Sequence, residues 1–164
     1  MIFATLLALS VSTTSLPDQR LAPAIREAIL DEIQHGISAT KARNIDQYME
    51  QVPDNYRQVS PDGSVVDKAG LRAMQLQAWA IIPRTNRLEM TITGFQLGCG
   101  GTCATVMTDQ VWDRQMLDRD GKAEHRVVTT QRHRELWELA GSRWVNRKLE
   151  ELGGTVTVDG EPYE

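Results

Sequence analysis

Gln131, His133, Glu135 and Trp137 alternate along one segment, "HRVVTTQRHRELWEL". If that segment is a strand, the four side chains share one face, and Arg132, Arg134, Leu136 and Glu138 share the other. The second set is the more charged, so the first is expected to face inward. An imidazole titrates near neutrality, which makes His133 a candidate general base. The competing reading is a packed, hydrogen-bonded histidine with no chemistry. Asp109 lies within "CATVMTDQVWDRQM", a β-branched stretch where aspartate is disfavoured. It is a candidate proton carrier, a bulge residue, or the partner of an arginine. Tyr48 and Tyr56 offer phenols to a ligand oxygen, or bury their rings and keep their hydroxyls wet. Trp79, Trp112 and Trp137 supply apolar wall or ordinary core. Arg72 shares a helical face with Gln75 and Trp79, as a solvated cation or a substrate clamp.

Other chemistries lack their residues. Zinc needs three or four ligands. Cys99 and Cys103 form a C-x3-C pair, and His35, His125 and His133 are scattered. No metal site is expected. There is no C-x-x-C beside a βαβ pattern, no G-x-S-x-G, and no phosphate-binding or dinucleotide glycine motif. No cofactor is expected. The 164 residues carry a net charge of −4, with basic residues dispersed rather than clustered. That balance argues against nucleic acid as a partner. No apolar run reaches the length of a membrane span.

The two cysteines flank Gly100-Gly101-Thr102, the length of a short hairpin loop. Residues facing each other across such a loop lie about 4.5 to 5.5 Å apart between Cα atoms, within what a disulfide accepts. An oxidised pair is therefore expected at a hairpin tip. It suits an oxidising compartment. Residues 2–11 form an apolar run followed by small polar residues, the pattern of a signal-peptide core, with cleavage candidates at residues 12–15. No positive residues precede the run. Residues 1–15 are expected to be removed on export, leaving a periplasmic or secreted protein with no membrane segment in its mature form.

The elements that position these residues are legible from periodicity. Ile25, Ile29, Ile33 and Ile37 recur at helical spacing after Pro23, a residue suited to a first helical turn. The pattern breaks near Asn44. "IDQYMEQV" reads as a short helix stopped by Pro53, "NYRQVS" as a short strand, and "PDG" at 61–63 as a turn. Asp67 is a good N-cap for "KAGLRAMQLQAWAII", whose apolar stripe reads as Leu71, Met74, Ala78 and Ile81. After Pro83 the period changes to two: Leu88, Met90 and Ile92 alternate with Glu89, Thr91 and Thr93. Four long strands joined by short turns give an antiparallel meander, and "GGTVTVDGEPYE" reads as a tail. Helices first and a long sheet after is an α+β order. Strands this long bend, and the isoleucine stripe is expected to bury against the concave face.

Three stretches carry a family resemblance. "ATKARNIDQYMEQVPDNYR", "PDGSVVDKAGLRAM" and "RHRELWELAGSRWVNRKLEEL" are similar, in order and spacing, to the nuclear transport factor 2-like superfamily, with its SnoaL-like and ketosteroid-isomerase-like members. The resemblance covers roughly residues 20–155, leaving 156–164 as a tail. It implies a cone-shaped, strongly bent, mainly antiparallel sheet wrapped around N-terminal helices, an apolar cavity, and often a homodimer through the sheet. It does not imply one reaction. Where ketosteroid isomerases place an aspartate base before a proline, this chain has Ser60 before Pro61. Serine is no base at neutral pH, although Asp54 and Asp62 are close by.

The reading that results is an exported domain with a cavity for a small apolar molecule. The expected ligand contacts are Tyr56, Trp79, His133 and Trp137, with His133 or Asp109 as proton carrier if there is catalysis. Two alternatives remain. One is a cofactor-free acid–base enzyme of the same fold, an isomerase, dehydratase or hydrolase. The other is a protein-interaction module that uses the sheet face.

Overall fold

Isoleucine at every fourth position gives a helix one continuous apolar edge, and helix α1 (Ala22–Ala42) buries it: Ile29, Ile33 and Ile37 are all enclosed. The computed structural model describes residues 20–163. The proposed leader at 1–15 therefore lies outside the described residues. Helix α1 ends on Arg43 in the left-handed conformation. Asn44 then caps the short α2 (Ile45–Met49) by accepting from the Gln47 amide at 3.1 Å. Helix α3 (Lys68–Ile81) starts on Asp67, whose carboxylate accepts from the Gly70 amide at 2.8 Å.

One expectation for α3 is corrected. Its buried residues are Leu71 and Trp79, with Ile82 just beyond, whereas Met74 and Ile81 are 46% and 41% exposed. Two apolar stripes overlap on this helix. The one containing the tryptophan wins, because the indole has the most apolar area to remove from water. Among the described residues, no helix is long and apolar enough to cross a membrane.

The sheet contains β1 (Arg57–Val59), β2 (Val65–Asp67), β3 (Arg84–Gly98), β4 (Cys103–Leu117), β5 (Glu124–Ala140), β6 (Arg143–Val158) and β7 (Glu161–Pro162). Its order is β2-β1-β6-β5-β4-β3, with β7 beside β6. Among the described residues the one parallel pairing is β1 with β6. The four long strands are the expected meander, and helices pack on the curved sheet's inner face. Ile29, Ile33 and Ile37 meet Leu88, Ile92, Ala104, Val106, Trp137 and Trp144 there.

Register shifts mark bulges in β3 near Asn86 and Thr93, and in β6 at Arg147 and Leu152. Bulges bend strands and re-aim side chains. At Arg147 the inward parity of β6 changes: Trp144 and Asn146 point inward before it, Leu149 after it. The same strand corrects the reading of "GGTVTV" as tail, because β6 runs through both glycines to Val158. A Cβ on Gly154 would lie 1.9 Å from the Thr130 carbonyl oxygen, and Gly153 has φ +125. The glycine pair is what a tight bend in the ladder requires, not a break in it.

Cys99 and Cys103 are disulfide-bonded, with Cα atoms 5.3 Å apart. The loop is one residue longer than expected. Gly98, not Cys99, pairs with Cys103, and Cys99 opens a 3-10 turn over Cys99–Gly101 with φ 50. The bond thus ties the turn to the first residue of β4. Closing so short a loop contributes about 2 kcal/mol in the chain-entropy model. Cys103→Ser, or reduction of the native protein, is expected to lower stability by that amount. Denaturant unfolding with and without reductant measures it, and an unchanged midpoint would contradict it.

Candidate functional site

Position 135 illustrates what the inward parity of β5 does to a charged residue. Glu135 is 1% exposed. It lies opposite Val106 on β4, flanked on the inner face by His133 and Trp137. An isolated carboxylate there would be expensive, and three neighbours answer it. The Thr108 hydroxyl donates to Oε1 at 2.6 Å, while the Trp137 indole N–H and the Asn146 side-chain amide both donate to Oε2 at 2.8 Å. Each donor is a neighbour in the sheet: Trp137 two residues along the strand, Asn146 opposite Trp137, and Thr108 opposite His133. The hydrogen bonds pull the carboxyl pKa down and burial pushes it up; burial prevails, so it is raised.

Glu135 stands at the wall of a pocket of about 130 Å³ between the helices and the concave face. Ile33, Ile37, Leu71, Leu88, Met90 and Leu149 make it apolar. Tyr48, Tyr56, Trp112 and Trp137 bring rings to it, and Gln51, Gln75, Gln110 and Asn146 bring amides. Gly36 is part of the wall because Gln51 lies against it: a Cβ there would meet Gln51 Nε2 at 2.3 Å. The Gln51 carbonyl in turn accepts from the Asn146 backbone amide at 2.8 Å, fixing the helix connection to β6.

Both phenols are held protonated. Burial, then the charge of Glu135, pushes Tyr48 up to about 12. Tyr56 is shifted further in the same direction, first by burial and then by Tyr48, Glu135 and Glu151. The Tyr56 hydroxyl donates to Gln58 Oε1 at 3.4 Å, and Gln58 donates to Glu151 at 2.6 Å. Two residues of the lining each carry a buried amide atom with no partner among the described residues, Asn146 Oδ1 and Gln75 Nε2.

The residues singled out from sequence are distributed as follows. Tyr56 and Trp137 line the pocket together. Trp79 is buried behind it, with its ring edge-on to Tyr48 at 6.2 Å, and is not part of the lining. His133 faces inward as its parity requires, but it too lies outside the lining. Its Nδ1 is 3.5 Å from the Thr108 hydroxyl, and burial lowers its pKa to about 4. At neutral pH it is an uncharged imidazole. Asp109 points to the opposite face, where Arg132 donates to it at 2.8 and 3.1 Å and holds its pKa below the ordinary value. Arg72 is exposed and paired with Asp46 at 3.0 Å. Glu135 carries a signal that sequence reasoning passed over, an acidic residue on the apolar parity of a strand. Asn146 carries none, since its role depends on its pairing and on the bulge at Arg147. Among the described residues no group of three or more His, Cys, Asp or Glu side chains is placed to hold a metal ion.

Solved structures share this architecture. One is a protein from Novosphingobium aromaticivorans assigned as a scytalone dehydratase, with TM-score 0.71 and 7% identity, covering 82% of this chain and 87% of that one. A second is a hexachlorocyclohexane dehydrochlorinase (LinA) of type 2, with TM-score 0.62, 14% identity and coverage of 87% and 90%. A third is an NTF2-like protein from Cytophaga hutchinsonii, with TM-score 0.60, 14% identity and coverage of 77% and 95%. The chain thus has the nuclear transport factor 2-like fold. No protein-family model and no curated protein matches the sequence. The similar structures include named enzymes and an NTF2-like protein whose activity is not stated, so the shared fold does not select a reaction.

Proposed function

We propose that this chain is an exported protein that holds a small, mainly apolar molecule in the pocket beneath its sheet, with Glu135 as the polar anchor. The observation that carries this reading is a single buried carboxyl, held by three donors from its own chain, at the wall of an otherwise apolar and aromatic pocket. Apolar walls with a few fixed polar groups are the usual make-up of a ligand site. The disulfide supports export, since such bonds persist in oxidising compartments. The test is titration of the protein with single-ring alcohols and amines, followed by the indole N–H signal of Trp137. A saturable shift at that signal supports the reading. A signal unmoved by every member of the set overturns it.

A second reading, acid–base catalysis without a cofactor, is favoured by one feature. The Glu135 pKa is raised, and its Oε1 receives only the Thr108 hydroxyl, leaving acceptor capacity for a substrate proton. Under this reading Tyr48 and Tyr56 are hydrogen-bond donors to a substrate oxygen.

Glu135→Gln separates anchoring from fold. The amide keeps an acceptor for Trp137 and Asn146 and offers an N–H to Thr108. Because the folded-state pKa of Glu135 lies above its unfolded value of 4.5, the unfolded chain releases the proton first. Stability from this group is complete below that value and is lost as pH rises through the folded pKa. The variant is therefore expected to gain on the wild type as pH rises above 4.5 through the folded pKa, read as the difference in melting temperature. A constant or shrinking difference would contradict the burial argument. If turnover of any substrate is found, the same variant is expected to lose about 10²–10⁴-fold.

A further inference from the structure

We propose that the pocket's ligand is a small organic ammonium ion carrying at least one N–H, about the size of a single six-membered ring. The inference rests on the pocket-binding reading above and adds the charge and size of the occupant.

Charge comes first. Glu135 is the one formally charged side chain in the lining. No Lys, Arg or His among the described residues lines the pocket with it. Its three donors are a hydroxyl, an indole and an amide, all neutral. They satisfy lone pairs without supplying a counter-charge. An anionic ligand would set a second acidic group beside Glu135 at low dielectric with no cation between them, whereas an ammonium would favour the ionised carboxylate that burial alone disfavours and complete a pair with it.

The second observation is Asn146. Its side chain is 8% exposed. Its Nδ2 donates to Glu135 at 2.8 Å, which fixes the amide orientation against a carboxylate and leaves Oδ1 as a buried acceptor without a partner. A buried acceptor so placed asks for a donor. Asn146 and Glu135 line the same pocket and are joined by that hydrogen bond. Gln75, also in the lining, lacks any such fixing partner and can present either its oxygen or its nitrogen.

The walls agree. Tyr48, Tyr56, Trp112 and Trp137 line the same space, and aromatic faces attract cations. Trp112 already does so on one face, where the Arg114 guanidinium lies 4.3 Å from the ring centroid. Size follows from the volume of about 130 Å³. A protein cavity of about 150 Å³ accepts benzene, so one ring or its open-chain equivalent fills this one.

The experiment compares cyclohexylammonium chloride with cyclohexanol, equal in size and differing in charge, at pH 7, by calorimetry and by the Trp137 indole N–H signal. The wild type is expected to bind the ammonium at least tenfold more tightly than the alcohol, with the indole signal shifting. In Glu135→Gln the preference for the ammonium over the alcohol is expected to vanish. Equal or tighter binding of cyclohexanol by the wild type overturns the ammonium inference and leaves the pocket reading standing. Binding of neither, with Trp137 unmoved, removes the pocket reading itself. An ammonium preference that persists in the variant, or that arises without a Trp137 shift, places the cation elsewhere and also overturns the inference. If the variant does not fold, the wild-type comparison and its indole signal still decide.

Discussion

Trp137→Ala is expected to cost about 3–5 kcal/mol of folding stability, the range for removing a fully buried large aromatic. Trp137 is 1% exposed and belongs both to the main core cluster and to the pocket wall. Removing it deletes apolar contact with the α1 stripe and merges the freed volume with the existing pocket. It also takes away the indole N–H that Glu135 Oε2 receives at 2.8 Å. Trp137→Phe separates the two effects. Phenylalanine keeps a six-membered ring in the core but loses the pyrrole ring with its donor, so it is expected to cost less than alanine, about 1.5–3 kcal/mol, the scale of a hydrogen bond to a charged group. With one donor fewer, the Glu135 pKa is expected to climb further, because the Trp137 hydrogen bond is one of the forces holding it down. Denaturant unfolding of the three proteins, with titration of the Glu135 carboxyl by carbon NMR, measures both. Equal costs for Ala and Phe would mean that the ring contributes no packing.

The second large effect concerns the helix beneath the sheet. Ile29 is 0% exposed, midway along the isoleucine stripe of α1. Ile29→Ala is expected to cost about 2–5 kcal/mol, from lost transfer energy and the cavity left behind. Met74→Ala, also in an apolar residue of a helix, is expected to fall within about 0.5 kcal/mol of the wild type, because Met74 is 46% exposed. Parallel melts of the two variants test which helical faces are buried. Similar losses at both positions would contradict the placement of α3.

Local pattern was enough for much of the architecture. The four-residue recurrence of isoleucine specifies one face of α1, and no other arrangement of those residues hides them. Alternation in "RLEMTITGF" and "QRHRELWEL" fixes which residues of β3 and β5 face inward, since a strand's side chains have a period of two. Asn44 and Asp67 announce two helix starts because short polar side chains satisfy free amides there. The spacing of Cys99 and Cys103 announced the bond between them, though not the 3-10 turn that carries it.

What the sequence by itself could not determine depends on relations between distant residues. On α3, two apolar stripes are equally periodic, and only packing against the sheet selects Leu71 and Trp79 over Met74 and Ile81. On β6, parity arguments assume an unbroken ladder. A bulge at Arg147 brings both Asn146 and Leu149 inward, and a local alternation has no term for an extra residue. His133 and Glu135 share a face and are two residues apart, so sequence makes them equivalent. The pocket borders Glu135 and not His133, because strand curvature and the reach of α2 and the loop after it decide where the space lies. Burial then decides their protonation, raising one and lowering the other. Sequence thus determines which residues face inward; the tertiary structure alone determines which of them meet, because desolvation and hydrogen bonding are set by neighbours drawn from other strands.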